Sequence, residues 1–179
     1  MGNRLSKIYT RTGDDGETGI TGGERIAKDH PRMQAIGDVD ELNATIGLVR
    51  CHELPQMVDE PLEEIQQALF NLGGELSMPG TALVEAELVT QVERWLDAMN
   101  EHLPPLKDFV LPGGTAAAAH VHLARTVCRR AERSVVTLMS VDPINVDGLR
   151  LLNRLSDYLF VLARALNAEE GLQEVLWKH

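Results

Sequence analysis

Five stretches of the 179-residue sequence carry apolar residues at alternating spacings of three and four, and this periodicity constrains the fold more than any other feature. Residues at that spacing form one stripe along an α-helix, and the stripe must be buried against a neighbouring element. The predicted helices span about residues 38–52, 61–77, 84–103, 116–138 and 145–167. Because the connections between them are short, consecutive helices are expected to be antiparallel. The sequence therefore predicts an all-α fold, a five-helix up-and-down bundle.

Three of the predicted helices have residues at their ends that favour helix termini. Pro61 suits the first position of the second helix, where a backbone N–H would have no helical partner in any case. Pro104 and Pro105 are predicted to stop the third helix, because proline cannot donate a helical hydrogen bond. The hydroxyl of Thr115 is predicted to cap the start of the fourth helix.

The first 35 or so residues show no helical period, and seven glycines lie between Gly2 and Gly37. A segment this long, with few large apolar residues, is either disordered or ordered by a ligand or a neighbouring chain. We predict a single domain over residues 1–179. It consists of a glycine-rich N-terminal arm at 1–36, the helical bundle at 37–168 and a tail at 169–179.

The overall charge excludes some partners. Seventeen basic and 27 acidic residues give a net charge of −10 at neutral pH. This sign opposes non-specific binding to nucleic acid or to an anionic membrane surface, so neither is predicted as a partner. No run of about 18 apolar residues could span a bilayer, and the polar start does not match a signal peptide. A cytoplasmic location is expected.

A cationic segment stands out on this acidic chain. The window 125–133 holds four arginines and one glutamate. Arg125, Arg129 and Glu132 follow His122 at helical spacing, so all four are predicted to share one helix face beside the apolar stripe. Arginines this close repel each other unless an anion neutralises them, which favours an anionic ligand. The alternative is a solvated face with weak Arg–Glu pairs.

The glycine-rich segment from Thr10 to Gly19 has a composition suited to a polyphosphate. Closely spaced glycines let backbone N–H groups approach an oxyanion, and threonine hydroxyls, Arg11 and Lys28 add donors and charge. An ordinary surface turn is the alternative, because no Walker motif is present. Asn153 is either a ligand contact or a solvated asparagine.

The sequence offers no clear metal site or protein nucleophile. His120 and His122 lie about 200° apart around a helix and cannot chelate one ion. No Glu-x-x-His motif of di-iron bundles occurs. Cys51 and Cys128 are predicted to be packing residues rather than nucleophiles. The identity of any metal-binding residue is left unknown.

Five sequence blocks, in order and with intact spacing, resemble the corrinoid adenosyltransferases of the propanediol-utilisation type, which are ATP:cob(I)alamin adenosyltransferases. The resemblance covers about residues 7–168, nearly the whole chain. The blocks are KIYTRTGDDGETG at 7–19, GDVDELNATIG at 37–47, FVLPGG at 109–114, ARTVCRRAER at 124–133 and NRLSDYLF at 153–160.

The resemblance implies a homotrimer with an active site at each subunit boundary. It implies catalytic roles for Arg129, Glu132 and Phe109, with Phe109 beneath the corrin ring. Arg125 would pair with Asp40 of the adjoining subunit. The residues implied to bind ATP are Thr10, Arg11, Thr12, Gly13, Thr18, Gly19, Lys28, Arg129, Arg130, Glu132, Arg133 and Asn153.

The implied reaction transfers the 5′-deoxyadenosyl group of ATP to the cobalt of cob(I)alamin and releases triphosphate. Mg²⁺ would be held mainly by the ATP phosphates. A flavoprotein-type reductase and adenosylcobalamin-dependent enzymes are implied as partners. The alternative is a noncatalytic helical bundle that senses ATP or adenosylcobalamin.

Overall fold

Residues 9–178 fold into five helices and one small hairpin. The computed structural model describes residues 9–178, so residues 1–8 of the predicted arm and His179 of the predicted tail lie outside the described residues. The elements are β1 (Glu17–Gly19), β2 (Arg25–Ala27), α1 (Pro31–Val49), α2 (Gln56–Ser77), α3 (Ala86–Asn100), α4 (Ala116–Met139) and α5 (Val146–Glu169). The five predicted helices are confirmed.

Helix α4 packs between α1 and α5, while α2 packs on the outer side of α1 and α3 on that of α5. Asp38 at the start of α1 contacts Ser134 near the end of α4, and His52 beyond α1 contacts His120 near the start of α4. These two helices are therefore antiparallel. α5 is antiparallel to α4 in the same way and parallel to α3. Directions alternate along the chain, as in an up-and-down bundle.

The core is formed by the predicted apolar stripes. Each large aliphatic side chain that is fully buried contributes about 1.5–3 kcal/mol to stability. The largest fully buried side chains include Leu42, Ile46, Leu62, Ile65, Leu69, Leu72, Leu76, Leu138, Leu151, Leu152, Leu155 and Tyr158.

Among the described residues, no helix has the length and apolar composition needed to cross a membrane.

Two helices begin earlier than the periodicity predicts. α1 starts at Pro31, six residues before the predicted bundle boundary at 37, and the His30 side chain caps it. α2 starts at Gln56, so Pro61 lies inside the helix and not at its first position. There it leaves the Met57 carbonyl without its helical donor, which is tolerable because the second helical turn lies at the exposed start of α2. Thr115 caps α4 as predicted, its hydroxyl accepting from Ala118 N at 3.0 Å.

Within the arm, β1 and β2 form an antiparallel hairpin, which corrects the all-α prediction. Glu17 pairs with Ala27 and Gly19 with Arg25. The arm is tied to the bundle where the Thr21 N–H donates to the Ser77 carbonyl at 3.1 Å. The sequence did not predict these strands, because three-residue strands carry too little alternation to detect.

A buried carboxylate joins three elements at one end of the bundle. Glu75 on α2 is 4% exposed. Its Oε2 accepts hydrogen bonds from Leu83 N at 2.7 Å, Val84 N at 3.0 Å and Asn145 Nδ2 at 3.2 Å. Asn145 caps α5, so Glu75 connects the α2–α3 segment to the start of α5.

Replacing Glu75 with Ala is expected to lower the free energy of unfolding by about 2–4 kcal/mol, because donors in a largely buried site lose their acceptor. Urea denaturation measures this. The matched control is Glu64→Ala, an exposed glutamate on the same helix, which should change stability by less than about 0.5 kcal/mol. Equal effects of the two substitutions would contradict the structural role of Glu75.

Candidate functional site

A cleft of about 440 Å³ lies between α3, α4 and α5 and is lined by four arginines. Arg125 and Arg129 come from α4, and Arg154 and Arg164 from α5. The floor includes the apolar side chains of Leu96, Phe160 and Val161. The predicted cationic face of α4 therefore lines a concave surface.

Two of these arginines have carboxylate partners. Arg154 Nε lies 2.8 Å from Glu93 Oε1, and its Nη1 lies 2.8 Å from Asp157 Oδ2. Arg164 is 3% exposed and its Nε lies 2.6 Å from Glu174 Oε1. The positive charges of Arg154 and Arg164 are thus largely neutralised within the chain.

Arg125 and Arg129 differ, because neither forms an ion pair with any residue in the range 9–178. Arg125 Nε is buried and has no hydrogen-bond partner there. Burial lowers the pKa of Arg125 below its ordinary value, and the nearby charge of Arg129 lowers it further. Two uncompensated guanidinium groups, one of them half-buried, form a site that favours an anion.

The other predicted residues of this region do not line the cleft but are linked to one another or to Arg129 by hydrogen bonds. Asn153 Nδ2 donates to Glu132 Oε1 at 2.9 Å, which joins α5 to α4. Arg133 is exposed and donates from Nη1 to the Arg129 carbonyl at 2.9 Å. The structure thus brings Arg129, Glu132, Arg133 and Asn153 together.

Arg130 points away from them, toward α1. Its Nε lies 3.2 Å from Asp38 Oδ1, and it also contacts Glu41. Burial alone would raise the pKa of Asp38, but hydrogen bonds from Ser134 and Gln34 and the Arg130 charge lower it below its ordinary value. Because consecutive helix residues are rotated by 100°, Arg129 faces the cleft while Arg130 faces α1.

The predicted ATP residues of the arm lie on an exposed turn and hairpin. Lys28 Nζ donates to the Gly13 carbonyl at 2.6 Å, and the hydroxyls of Thr10 and Thr12 are 2.9 Å apart. Arg11 has a left-handed backbone, with φ of 61°, and Thr18 and Gly19 lie on β1. Among the described residues, these predicted arm residues form no hydrogen bond or ion pair with α4.

Phe109 lies on a loop that joins α3 to α4, residues 104–114, here called the Phe109 loop. Its ring is 76% exposed. The C-terminal tail, to which sequence analysis assigned no role, pairs with this loop in a short antiparallel bridge between Val110 and Leu176. No sequence signal pointed to this pairing.

Asp40 is exposed on α1, and within residues 9–178 it forms no ion pair. The predicted pair of Asp40 and Arg125 is therefore not formed within one chain.

One expectation about an individual residue was wrong, because Cys51 is exposed beyond the end of α1 and is not a packing residue. His122 lies on the same flank of α4 as Arg125, with its ring 6.3 Å from that of Phe160, but it is buried at 3% exposed. Cys128 is buried as predicted, and burial raises the pKa of its thiol. In the part of the chain that the structure describes, no three His, Cys, Asp or Glu side chains cluster as metal ligands.

Comparison with known proteins identifies the family. The family model described as cobalamin adenosyltransferase matches residues 8–166. The chain belongs to the cobalamin adenosyltransferase family. It is 54% identical to a cobalamin adenosyltransferase of Cupriavidus metallidurans, over 99% of this chain and 97% of that protein. It is 45% identical to the corrinoid adenosyltransferase of Bacillus subtilis, over 94% and 91%.

Solved structures of the same family have the same fold. A phenylalanine-to-alanine variant of a PduO-type ATP:corrinoid adenosyltransferase from Lactobacillus reuteri, complexed with cobalamin and ATP, superposes with a TM-score of 0.92. It is 40% identical and covers 97% of this chain and 100% of its own. An arginine-to-lysine variant of the Lactobacillus reuteri enzyme, complexed with ATP, gives a TM-score of 0.89, with 39% identity and coverage of 96% and 100%.

The buried imidazole of His122 makes stability depend on pH. Burial lowers its pKa below 6.5, Arg125 lowers it further and Glu174 opposes the shift. As the pH falls below 6.5, the unfolded chain binds a proton before the folded chain does. The contribution of His122 to the free energy of unfolding is therefore complete above pH 6.5. It is lost progressively as the pH falls from 6.5 toward the folded-state pKa.

His122→Leu is expected to remove this part of the pH dependence. Urea denaturation at pH 7.5 and 5.5 measures the free energy of unfolding of wild type and variant. The variant should be more stable relative to wild type at pH 5.5 than at pH 7.5. The exposed His102→Leu serves as the control. A difference for His122→Leu that is the same at both pH values would show that the folded chain protonates His122 normally.

Proposed function

We propose that this chain transfers the 5′-deoxyadenosyl group of ATP to the cobalt of cob(I)alamin, forming adenosylcobalamin and triphosphate. The observation that carries this proposal is the pair of uncompensated guanidinium groups, Arg125 and Arg129, in the α4–α5 cleft of a cobalamin adenosyltransferase family member. Neighbouring structures with cobalamin and ATP bound support these two molecules as the substrates.

The reaction needs no protein nucleophile. The Co(I) electron pair forms the bond to C5′ of ATP, the C5′–O bond breaks, and triphosphate leaves with that bond's electron pair. The protein must hold cobalt and C5′ at reacting distance, which can be worth about 7–11 kcal/mol. It must also stabilise the negative charge that grows on the leaving triphosphate.

Positive charge at the cleft suits the second task. Arg129 and Glu132 act on the nucleotide from α4, and Arg11 and Lys28 approach the phosphates from the arm. Mg²⁺ enters bound mainly to the ATP phosphates. The full proposed ATP site comprises Thr10, Arg11, Thr12, Gly13, Thr18, Gly19, Lys28, Arg129, Arg130, Glu132, Arg133 and Asn153.

Within that site the contacts of Arg130 favour a supporting role. Its guanidinium is engaged by Asp38 and Glu41 on α1. It reaches the nucleotide only if these contacts rearrange, whereas the Arg129 guanidinium forms no ion pair within the described residues.

Phe109 is proposed to meet the corrin ring. A large apolar ring that is 76% exposed is costly in water and suits contact with a flat apolar ligand face. Placed below the corrin, it would displace the lower axial base and leave four-coordinate Co(II), which is easier to reduce to Co(I).

A homotrimer is proposed, because one chain leaves the parts of the site separate. Among residues 9–178, the predicted arm residues form no hydrogen bond or ion pair with α4, and Asp40 and Arg125 lack ion-pair partners. A neighbouring copy would supply the arm and Asp40. In this assembly residues 1–36 are the nucleotide-binding arm, 37–168 the bundle and 169–179 the tail.

A flavoprotein-type reductase and adenosylcobalamin-dependent enzymes are proposed as partners, and a cytoplasmic location is proposed.

The deciding experiment mixes the protein anaerobically with Mg-ATP and chemically reduced cob(I)alamin. ATP-dependent loss of the Co(I) absorption, with formation of a light-sensitive product, is expected. Binding of ATP and adenosylcobalamin without turnover would instead favour the noncatalytic sensor.

In the same assay, Arg129→Ala is expected to lower turnover by about 10²–10³-fold, since one preorganised donor to the leaving group is lost. The fold should be unaffected, because Arg129 is exposed. The matched control is Arg150→Ala on the exposed side of α5, which should retain normal turnover. Near-normal kinetics of Arg129→Ala would contradict its assigned role.

Phe109→Ala is expected to reduce the reaction that starts from cob(II)alamin and a reductant far more than the reaction that starts from cob(I)alamin. The physical reason is that the wedge assists reduction and not the transfer itself. Initial rates in the two assays provide the measurement, and Lys107→Ala is the control, because Lys107 is exposed on the same loop and does not line the cleft. Equal losses in both assays would contradict the wedge.

Asp40→Asn is expected to weaken the trimer or the corrinoid affinity more than the ATP affinity. Wild type should elute near 59 kDa, three times the 19.7 kDa of one chain. Size-exclusion chromatography and ligand titration measure these changes, with the exposed Asp97→Asn on α3 as the control. Unchanged size and affinities would show that Asp40 and Arg125 do not pair.

A further inference from the structure

The two ends of the Phe109 loop are attached to a single turn of α5. Arg164 and Asn167 are three positions apart on that helix and therefore face the same side. Both are almost completely buried, at 3% and 5% exposed. Neither belongs to the sets of residues assigned above to ATP or to the corrinoid.

Arg164 holds the beginning of the loop. Its Nη2 donates to the Pro104 carbonyl at 2.7 Å. The same guanidinium binds both carboxylate oxygens of Glu174 in the tail, at 2.6 and 3.2 Å. One buried side chain thus connects α5, the loop and the tail, and it also lines the cleft beside Arg125 and Arg129.

Asn167 holds the end of the loop. Its Nδ2 donates to the Gly113 carbonyl at 3.0 Å, and its Oδ1 accepts from Thr115 N at 2.9 Å. Gly114 between them has φ of 107°, and a Cβ there would collide with the Asn167 amide. Only glycine allows the backbone to pass this close to Asn167.

The tail holds the middle of the loop. Leu111 N donates to the Val175 carbonyl at 2.8 Å, and Trp177 N donates to the Phe109 carbonyl at 2.8 Å. The rings of Phe109 and Trp177 meet edge to face, with centroids 6.2 Å apart. Glu174, three residues before Trp177, is the residue that Arg164 binds, so the tail strand is also anchored to α5.

These contacts fix the backbone of Phe109 while its ring stays exposed. An exposed phenylalanine on an untethered loop would fold back onto the bundle to bury its apolar surface. Here the backbone is bound at Pro104, at Phe109 and Leu111, and at Gly113. The backbone position from which the ring projects is therefore fixed relative to α5.

We propose that Arg164 and Asn167 are positioning residues for Phe109, which fix the loop and tail so that the Phe109 ring meets the corrin face at the required distance. This inference rests on the corrinoid reaction proposed above. Small displacements of a group that orients substrate can cost about a hundredfold in rate.

The first test measures the loop without turnover. Asn167→Asp keeps the acceptor for Thr115 N but loses the donor to Gly113, and Arg164→Lys keeps the charge but loses the planar fork that binds Pro104 and Glu174 together. Amide hydrogen exchange at Leu111 and Trp177 should become at least about tenfold faster in both variants. Glu169→Gln, exposed at the end of the same helix, is the control. Unchanged exchange in folded variants overturns the proposal.

The second test measures chemistry. Asn167→Asp should lose about ten- to a hundredfold in the reaction from cob(II)alamin and less than about threefold in the reaction from cob(I)alamin. Arg164 also lines the anion cleft, so Arg164→Lys is judged by the loss from cob(II)alamin exceeding the loss from cob(I)alamin. With cob(II)alamin and Mg-ATP bound, electron paramagnetic resonance should show a smaller four-coordinate fraction than in wild type. A general structural defect would lower both reactions together, and that result overturns the proposal.

A double variant separates action through Phe109 from independent action. In a Phe109→Ala background, Asn167→Asp should have no further effect on the cob(II)alamin reaction, because the group it positions is gone. Additive losses would overturn the proposal. If wild type forms no adenosylated product, the proposed function fails, while the exchange measurement still decides whether Arg164 and Asn167 hold the loop.

Discussion

The burial of α4 between α1 and α5 is the interaction on which the rest of this structure depends. Val121, Ala124, Cys128 and Ala131 are fully buried along one stripe of α4. Since a helix has a limited circumference, charged residues between these positions must emerge at the two flanks where neighbouring helices diverge. The arginines of α4 therefore lie at the edges of the bundle and not in its core.

The two flanks differ in whether their arginines are paired with carboxylates, and this difference creates the candidate site. Toward α1, Asp38 and Glu41 neutralise Arg130. Toward α3 and α5, the nearby carboxylates already serve Arg154 and Arg164, so Arg125 and Arg129 find no ion-pair partner within residues 9–178. In the proposed function, an anionic substrate would complete the second flank as Asp38 and Glu41 complete the first.

The C-terminal part of α5 links this cleft to the Phe109 loop. Arg164 lines the cleft and binds Pro104, and Asn167 binds Gly113 one turn later. The charge-binding part of the site and the aromatic residue proposed to meet the corrin therefore share one rigid support. In the proposed reaction Phe109 assists the reduction of cobalt and the cleft holds the leaving triphosphate, so a shared support keeps both groups at the same bound corrin.

Sequence periodicity was sufficient for the number, order and core faces of the helices, and a hydroxyl at Thr115 was sufficient for one cap. These features depend on residues close in the chain, whose spacing directly reflects the turn of a helix. The early start of α1 was not predictable from local periodicity. Arg32 in its first turn is held by the Leu76 carbonyl and by Asp142, both of which are distant in the sequence. The family blocks indicated which residues belong to the site and what chemistry to expect.

Only the tertiary structure decided which arginines are paired, how deeply His122 is buried, and how the tail meets the Phe109 loop. Each of these depends on groups far apart in sequence, such as Arg130 with Glu41 or Phe109 with Trp177. A helical repeat determines the angle at which a side chain leaves its own helix. The neighbour it meets there is determined by how the helices pack, and that packing is a property of the whole chain.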